Sequence, residues 1–165
     1  MGAAPSFDEV LREHGPMIRR IARSHEADRG LAEELAQDIL FALWRALPSF
    51  RGEGSLRAFV ARIAGNRALA HVKRSMRRGR SAPLDEGIPA PDVSPEVSVL
   101  AGERHARLLA AVRALPLGPR QVVILTLEGL GAGEIAAVLG TTPNAVAVRL
   151  SRARRTLRTL MGETP

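Results

Sequence analysis

The sequence predicts an all-α protein: two small helical domains joined by a flexible acidic linker. Apolar residues recur at helical spacing in several separate stretches, and no run alternates as a half-buried strand would. Apolar residues make up 45% of the 165 but aromatics only 3%, so the cores must be built from Leu, Val, Ile and Ala. Ala and Leu favour helix. Charge is segregated along the chain. Asn66 to Arg80 carries Arg67, Lys73, Arg74, Arg77, Arg78 and Arg80 with no acid, whereas Ser81 to Glu103 carries Asp85, Glu86, Asp92, Glu96 and Glu103 with no base. A net charge of +7 and a pI of about 11.4 point to a polyanionic partner, most simply nucleic acid.

The elements follow in order. Ser6 and Glu9 fit a capping box at a helix start, and Phe7, Val10, Leu11, Met17, Ile18 and Ile21 keep a helical period with a bend expected at Gly15-Pro16. After a polar stretch from Ser24 to Gly30, Leu31, Leu35, Ile39, Leu43 and Leu47 recur every four residues until Pro48 closes the helix. Phe50-Arg-Gly-Glu-Gly54 reads as a loop. A third helix begins near Ser55, with Leu56, Phe59, Val60 and Ile63 as its apolar stripe, and runs into the basic segment. Between Ser81 and Pro95 four prolines and scattered acids spell a linker. The domains are therefore set at 1–80 and 96–165, with 81–95 between them. Leu117-Gly-Pro119 is expected to break the second domain before a helix over Arg120 to Leu127.

The last third is the most specific part. A short apolar helix ending at Gly140 is followed by Thr141-Thr-Pro-Asn144 and an arginine-rich helix, and no acid occurs from Ile135 to Gly162. That is the outline of a helix-turn-helix whose second helix enters a DNA groove. Thr142 suits the helix cap and Pro143 its first turn. An arginine can bind guanine bidentately, worth ~1–3 kcal/mol of discrimination.

Other classes fare worse. With no cysteine there is neither a disulfide nor a thiolate metal site. The four histidines are scattered, with no metal-ligand spacing and no phosphate-cradling glycine loop, so neither an enzyme, a cofactor, a metal site nor a small-molecule substrate is expected. No apolar run is long enough to span a bilayer and no signal peptide is evident, which fits a cytoplasmic protein.

Several motifs together resemble the extracytoplasmic-function (ECF) sigma factors, promoter-recognition subunits of bacterial RNA polymerase within the housekeeping-type sigma family. In the first domain these are Ala32-Glu-Glu-Leu-Ala-Gln-Asp38 with Leu43-Trp-Arg45, Phe50-Arg-Gly-Glu-Gly-Ser55, and Arg62-Ile-Ala-Gly-Asn66 through Lys73-Arg74. In the second they are Leu115-Pro116, Arg120-Gln121, Glu128-Gly-Leu130, Glu134-Ile-Ala136 and Val148-Arg-Leu-Ser-Arg-Ala-Arg154. The resemblance implies that Thr142, Asn144, Ala145, Val148, Arg149, Arg152, Arg154 and Arg155 bind the upstream (minus-thirty-five) promoter element. Phe50, Arg51, Gly52, Ser55, Arg62, Asn66, Arg67, Lys73 and Arg74 would bind and melt the start-proximal (minus-ten) element. Glu34, Gln37, Asp38 and Phe41 would dock on core RNA polymerase at the β′ clamp coiled coil, with the β flap as a second contact, and an anti-sigma factor would mask these surfaces.

Without the resemblance, the acidic face of the second helix is equally a solvated surface, and the Gly-rich loop an ordinary turn. Trp44 suits core and interface alike. The alternative function is a stand-alone helix-turn-helix regulator. The chain also departs from the family pattern. Phe59, Ala61 and Gly65 stand where Trp, Tyr and Arg are frequent, Ala70 where an acid is common, Ala147 where Lys or Arg is common, and Gly131-Ala132 where an aromatic pair is usual. Fewer aromatics leave less surface on which to stack melted bases.

Overall fold

The computed structural model describes residues 5–79 and 95–162. In order these form α1 (Phe7–His25), α2 (Arg29–Ala46), a 3₁₀ turn (Leu47–Ser49), α3 (Leu56–Arg77), α4 (Pro95–Ala114), α5 (Leu117–Leu127), α6 (Ala132–Leu139) and α7 (Pro143–Leu160). Among the described residues there is no strand, and no helix is long and apolar enough to cross a membrane. The predicted linker lies outside the described residues except for Pro95, which opens α4.

Helices α1 to α3 pack as one unit around Val10, Ile18, Ile21, Ile39, Leu43 and Val60. Ala61, Ala64 and Ala68 line the buried side of α3, and their small side chains let it lie close to its neighbours. The second unit closes around Val112, Leu115, Val122, Ile135 and Val146. Both sets belong to one continuous apolar cluster, because α3 also packs on α5 and α6, and α1 on α4.

Local chemistry sets the boundaries. Ser6 Oγ accepts from Glu9 N–H while the Glu9 carboxylate accepts from Ser6 N–H, the expected capping box. Asp28, Ser55 and Thr142 each accept from a backbone N–H three residues on, capping α2, α3 and α7. Gly140 ends α6 at φ +63°, a left-handed conformation that glycine adopts without Cβ strain. The Thr141 N–H then returns to the Ala136 carbonyl at 2.9 Å.

α1 itself runs unbroken past Gly15-Pro16, where burial of Val10, Met17, Ile18 and Ile21, at ~1.5–3 kcal/mol per side chain, offsets the cost of an internal proline. One expectation is corrected. Leu117-Gly-Pro119 is the first turn of α5, not a break, since an opening turn has no hydrogen bond for proline to remove. Arg120 is buried and caps α4: its guanidinium donates to the Arg113 carbonyl, and to the Leu115 carbonyl at 3.0 and 3.2 Å.

Candidate nucleic-acid interface

Helix α7 turns about 100° per residue. Val146, Leu150, Ala153 and Leu157 face the core, which points Asn144, Val148, Arg152 and Arg155 outward on the opposite side. Ala145 lies beside them half-buried, while Arg149 and Arg154 flank the outward face on opposite edges. All four of these arginines are exposed, and none has an ion pair within the described residues. Thr142 at the cap and Pro143 in the first turn fix where the helix begins, leaving exposed Asn144 near its N-terminal end. The helix thus presents Asn144, Val148, Arg152 and Arg155 at the centre of its outward face with Arg149 and Arg154 at the edges, which suits base contact in the middle and phosphate contact at the edges.

The start-proximal residues fall on two stripes of α3. Arg62, Asn66 and Lys73 share one; Arg67 and Arg74 share another, turned toward α2. Arg67 reaches the Asp38 carboxylate at 3.8 Å. Arg62 sits over the Phe59 ring, 5.7 Å from its centroid, and Phe59 in turn packs on Phe50 at 5.0 Å. Phe50 is thereby held against α3, while Arg51 and Gly52 are exposed in a loop whose Gly52 and Gly54 both have positive φ. Ser55 caps α3 and also donates its hydroxyl to Glu134 of α6 at 2.9 Å.

On α2 the predicted docking residues share one outward face: Glu34 and Gln37 are exposed, Asp38 is half-buried, and Phe41 is 55% exposed. Trp44 is 56% exposed and stacks on Phe41 at 6.1 Å, with the Arg45 guanidinium 5.9 Å from the Phe41 ring. Trp44 is therefore exposed on this face and is not a core residue. The period of α2 would have placed it there, since it lies three residues beyond Phe41 on the side away from Leu43.

Sequence reasoning missed the contacts between the two units. Arg20 of α1 forms a two-bond fork with Glu128 at the end of α5, at 2.9 and 2.7 Å. Arg57 of α3 donates to the Glu128 carbonyl at 2.7 Å, and Arg113 of α4 to the Arg23 carbonyl at 2.9 Å. Glu134 has its carboxyl held below the usual range, first by the Gly131 N–H and then by Ser55. Between them runs a crevice lined by Arg62, Gly65 and Asn66 on one side and Gln121, Val138 and Leu139 on the other. His25 also lines it, its Nδ1 donating to the Ile21 carbonyl and its buried Nε2 without a partner; burial pushes its pKa down to about 4. One signal was available: Glu128 and Glu134 are the only acids between Arg104 and Gly162.

Comparison with known proteins agrees with this geometry. The sigma-70 region 2 family model matches residues 10–78 and the sigma-70 region 4 model residues 105–157. The chain is 33% identical over 159 residues to the ECF RNA polymerase sigma factor SigE of Mycolicibacterium smegmatis, covering 94% of this chain but only 62% of that protein. It is 31% identical over 169 residues to the RNA polymerase sigma factor CnrH of Cupriavidus metallidurans, covering 97% of this chain and 88% of CnrH. The solved structure of CnrH with the cytosolic domain of CnrY matches with a TM-score of 0.68 and 28% identity over 96% of this chain and 89% of that one. The sigma factor RpoE of Bartonella quintana, solved with the anti-sigma factor NepR, shares the fold at a TM-score of 0.75 and 24% identity, over 96% and 98% of the two chains. The housekeeping-type label is corrected, since the likeness is to ECF factors. Region 2 over α1 to α3, region 4 over α4 to α7 and near end-to-end likeness to CnrH leave one assignment: the chain belongs to the ECF RNA polymerase sigma factors.

Proposed function

We propose that this chain binds core RNA polymerase and gives it promoter specificity, with α2 docking on the enzyme, α3 and its preceding loop engaging the start-proximal element, and α7 reading the upstream one. The observation that carries this reading is α7 itself. Its outward face concentrates Arg152 and Arg155 beside Asn144 and Val148, flanked by Arg149 and Arg154, and none of the four arginines is ion-paired among the described residues. The stacked Phe41–Trp44 pair, framed by Glu34, Gln37 and Asp38, supports a protein-docking role for α2, because exposed aromatic pairs anchor interfaces. The functional units run over 1–80 and 96–165, and 81–95 tethers them. The acidity of the tether mimics nucleic acid in a basic channel of the enzyme.

Such a protein works in the cytoplasm alongside polymerase. An anti-sigma partner that masks these surfaces is part of the proposal, supported by the CnrY and NepR complexes of the two solved neighbours. Size-exclusion chromatography with purified core polymerase tests it. A sigma factor co-elutes with the enzyme and retains a promoter fragment; a stand-alone helix-turn-helix regulator binds DNA but leaves the enzyme unaccompanied.

A further inference from the structure

A cleft of about 440 Å³ lies between the C-terminal half of α1 and the first two turns of α2. Arg19 and Arg23 line it from α1, and Arg29 and Glu33 from α2. Gly30 and the buried Ala32 and Ala36 complete the lining, and their small size leaves the space open. None of the residues assigned above to core docking or to either promoter element lines it. The function proposed above leaves this cleft unused.

Its charge is unbalanced. Three arginines against one glutamate leave the lining with a surplus of positive charge. All three arginines are exposed, and none is ion-paired among the described residues, not even with Glu33. Other arginines of the same unit do have partners: Arg20 is forked onto Glu128, and Arg67 reaches Asp38. Arg29 also stands in the first turn of α2, a turn with no acid, where a cation opposes the helix dipole. Asp28, which caps that helix, is spent on the Leu31 N–H at 2.8 Å. A cleft lined by one sign of charge focuses its field and concentrates counter-ions. Guanidinium groups, in turn, match phosphate oxygens two bonds at a time.

We propose that this cleft binds a small polyphosphate, a linear di- or triphosphate such as a nucleotide carries, through Arg19, Arg23 and Arg29. Its volume falls within the roughly 300–1,000 Å³ of small-molecule sites, ample for several linked phosphates. A nucleic-acid strand suits it less, because such a strand follows a basic groove several nucleotides long. Beyond Arg29, α2 carries Glu33, Glu34 and Asp38 and no base before Arg45. The site stands independently of the sigma-factor reading, since it shares no residue with the surfaces that carry that reading.

Calorimetric titration of the full-length protein with sodium tripolyphosphate, at constant ionic strength, provides the test. Tripolyphosphate should bind at least about ten-fold more tightly than orthophosphate, because each further charge-assisted contact is worth about that factor. Arg19→Ala with Arg23→Ala should weaken tripolyphosphate binding about 100-fold on the same scale. Glu33→Gln should tighten it about three-fold, since the one carboxylate facing the anion is then neutral. In amide NMR spectra tripolyphosphate should shift Arg19, Arg23, Arg29 and Gly30, whereas a short single-stranded oligonucleotide should shift α3 and α7 instead. Equal, weak binding of tripolyphosphate and orthophosphate would mean an adventitious ion only and overturn the site. So would variants that leave the affinity unmoved, or tripolyphosphate shifts confined to α3 or α7. Cleft shifts caused by the oligonucleotide and not by tripolyphosphate would make it a strand contact and overturn it equally.

Discussion

Helices α3 and α7 are both basic and both offered as DNA surfaces, yet they are held differently. On α7 the arginines are exposed and free of ion pairs among the described residues. On α3 only some of the corresponding groups are occupied: Arg62 lies on Phe59, Arg67 near Asp38, and the Ser55 cap is bonded to Glu134, while Lys73 and Arg74 are exposed. If both act as proposed, the α7 surface is presented in full, whereas α3 would first have to release the partners of Arg62, Arg67 and Ser55.

The comparison breaks most directly at α7. Arg149→Ala with Arg152→Ala removes two side chains, each worth ~1–3 kcal/mol of base discrimination when bidentate. Upstream selectivity should fall about 100-fold or more in footprinting titrations while core binding is unchanged. Unaltered footprints would show that the outward face of α7 is not the reader.

The seam can be tested through its buried histidine. His25 has a folded pKa of about 4 against an ordinary value of 6.5, so the unfolded chain binds the proton more readily. Stability from this group is fully present above about pH 6.5 and is lost as pH falls toward 4, reaching ~2 kcal/mol at pH 5. His14, also buried and shifted downward by desolvation, acts in the same direction. Urea midpoints at pH 7 and pH 5 should therefore differ, and His25→Gln should flatten that difference. An equally large loss in the variant would assign it to other groups.

The α2 surface gives a smaller effect. Gln37→Ala with Asp38→Ala should weaken core association by ~1–2 kcal/mol, about ten-fold, since rim polar contacts carry less than anchors. DNA binding by the upstream helix should survive. The smallest expected change is Thr142→Ala, which removes the α7 cap and should cost ~1 kcal/mol of stability by thermal melting. Salt sharpens the comparison further: log affinity should fall linearly with log salt, and Arg154→Ala or Arg155→Ala, each removing one cation from the phosphate backbone, should reduce the slope by about 0.9.

Much of this was legible in the sequence because the signals are local. The Ser6–Glu9 box, the Thr142 cap, the Gly140 terminus and the arginine spacing of α7 each involve residues a few positions apart. The exposed aromatic pair on α2 follows from helical period as well. Illegible were the contacts that depend on how the units meet. Arg20 and Glu128 are separated by 108 residues, and Ser55 and Glu134 by 79, so nothing in the local pattern of either partner announces the other. Pro119 misled for a related reason: it reads as a break only until α5 is seen to start before it.

Transcription from a promoter library with purified core polymerase, with and without this chain, tests the central claim most directly. The account predicts that the chain confers initiation from a defined promoter set sharing two spaced elements, and that Arg149→Ala with Arg152→Ala erases preference at the upstream one alone. A chain that neither joins the enzyme nor changes where it starts would contradict it.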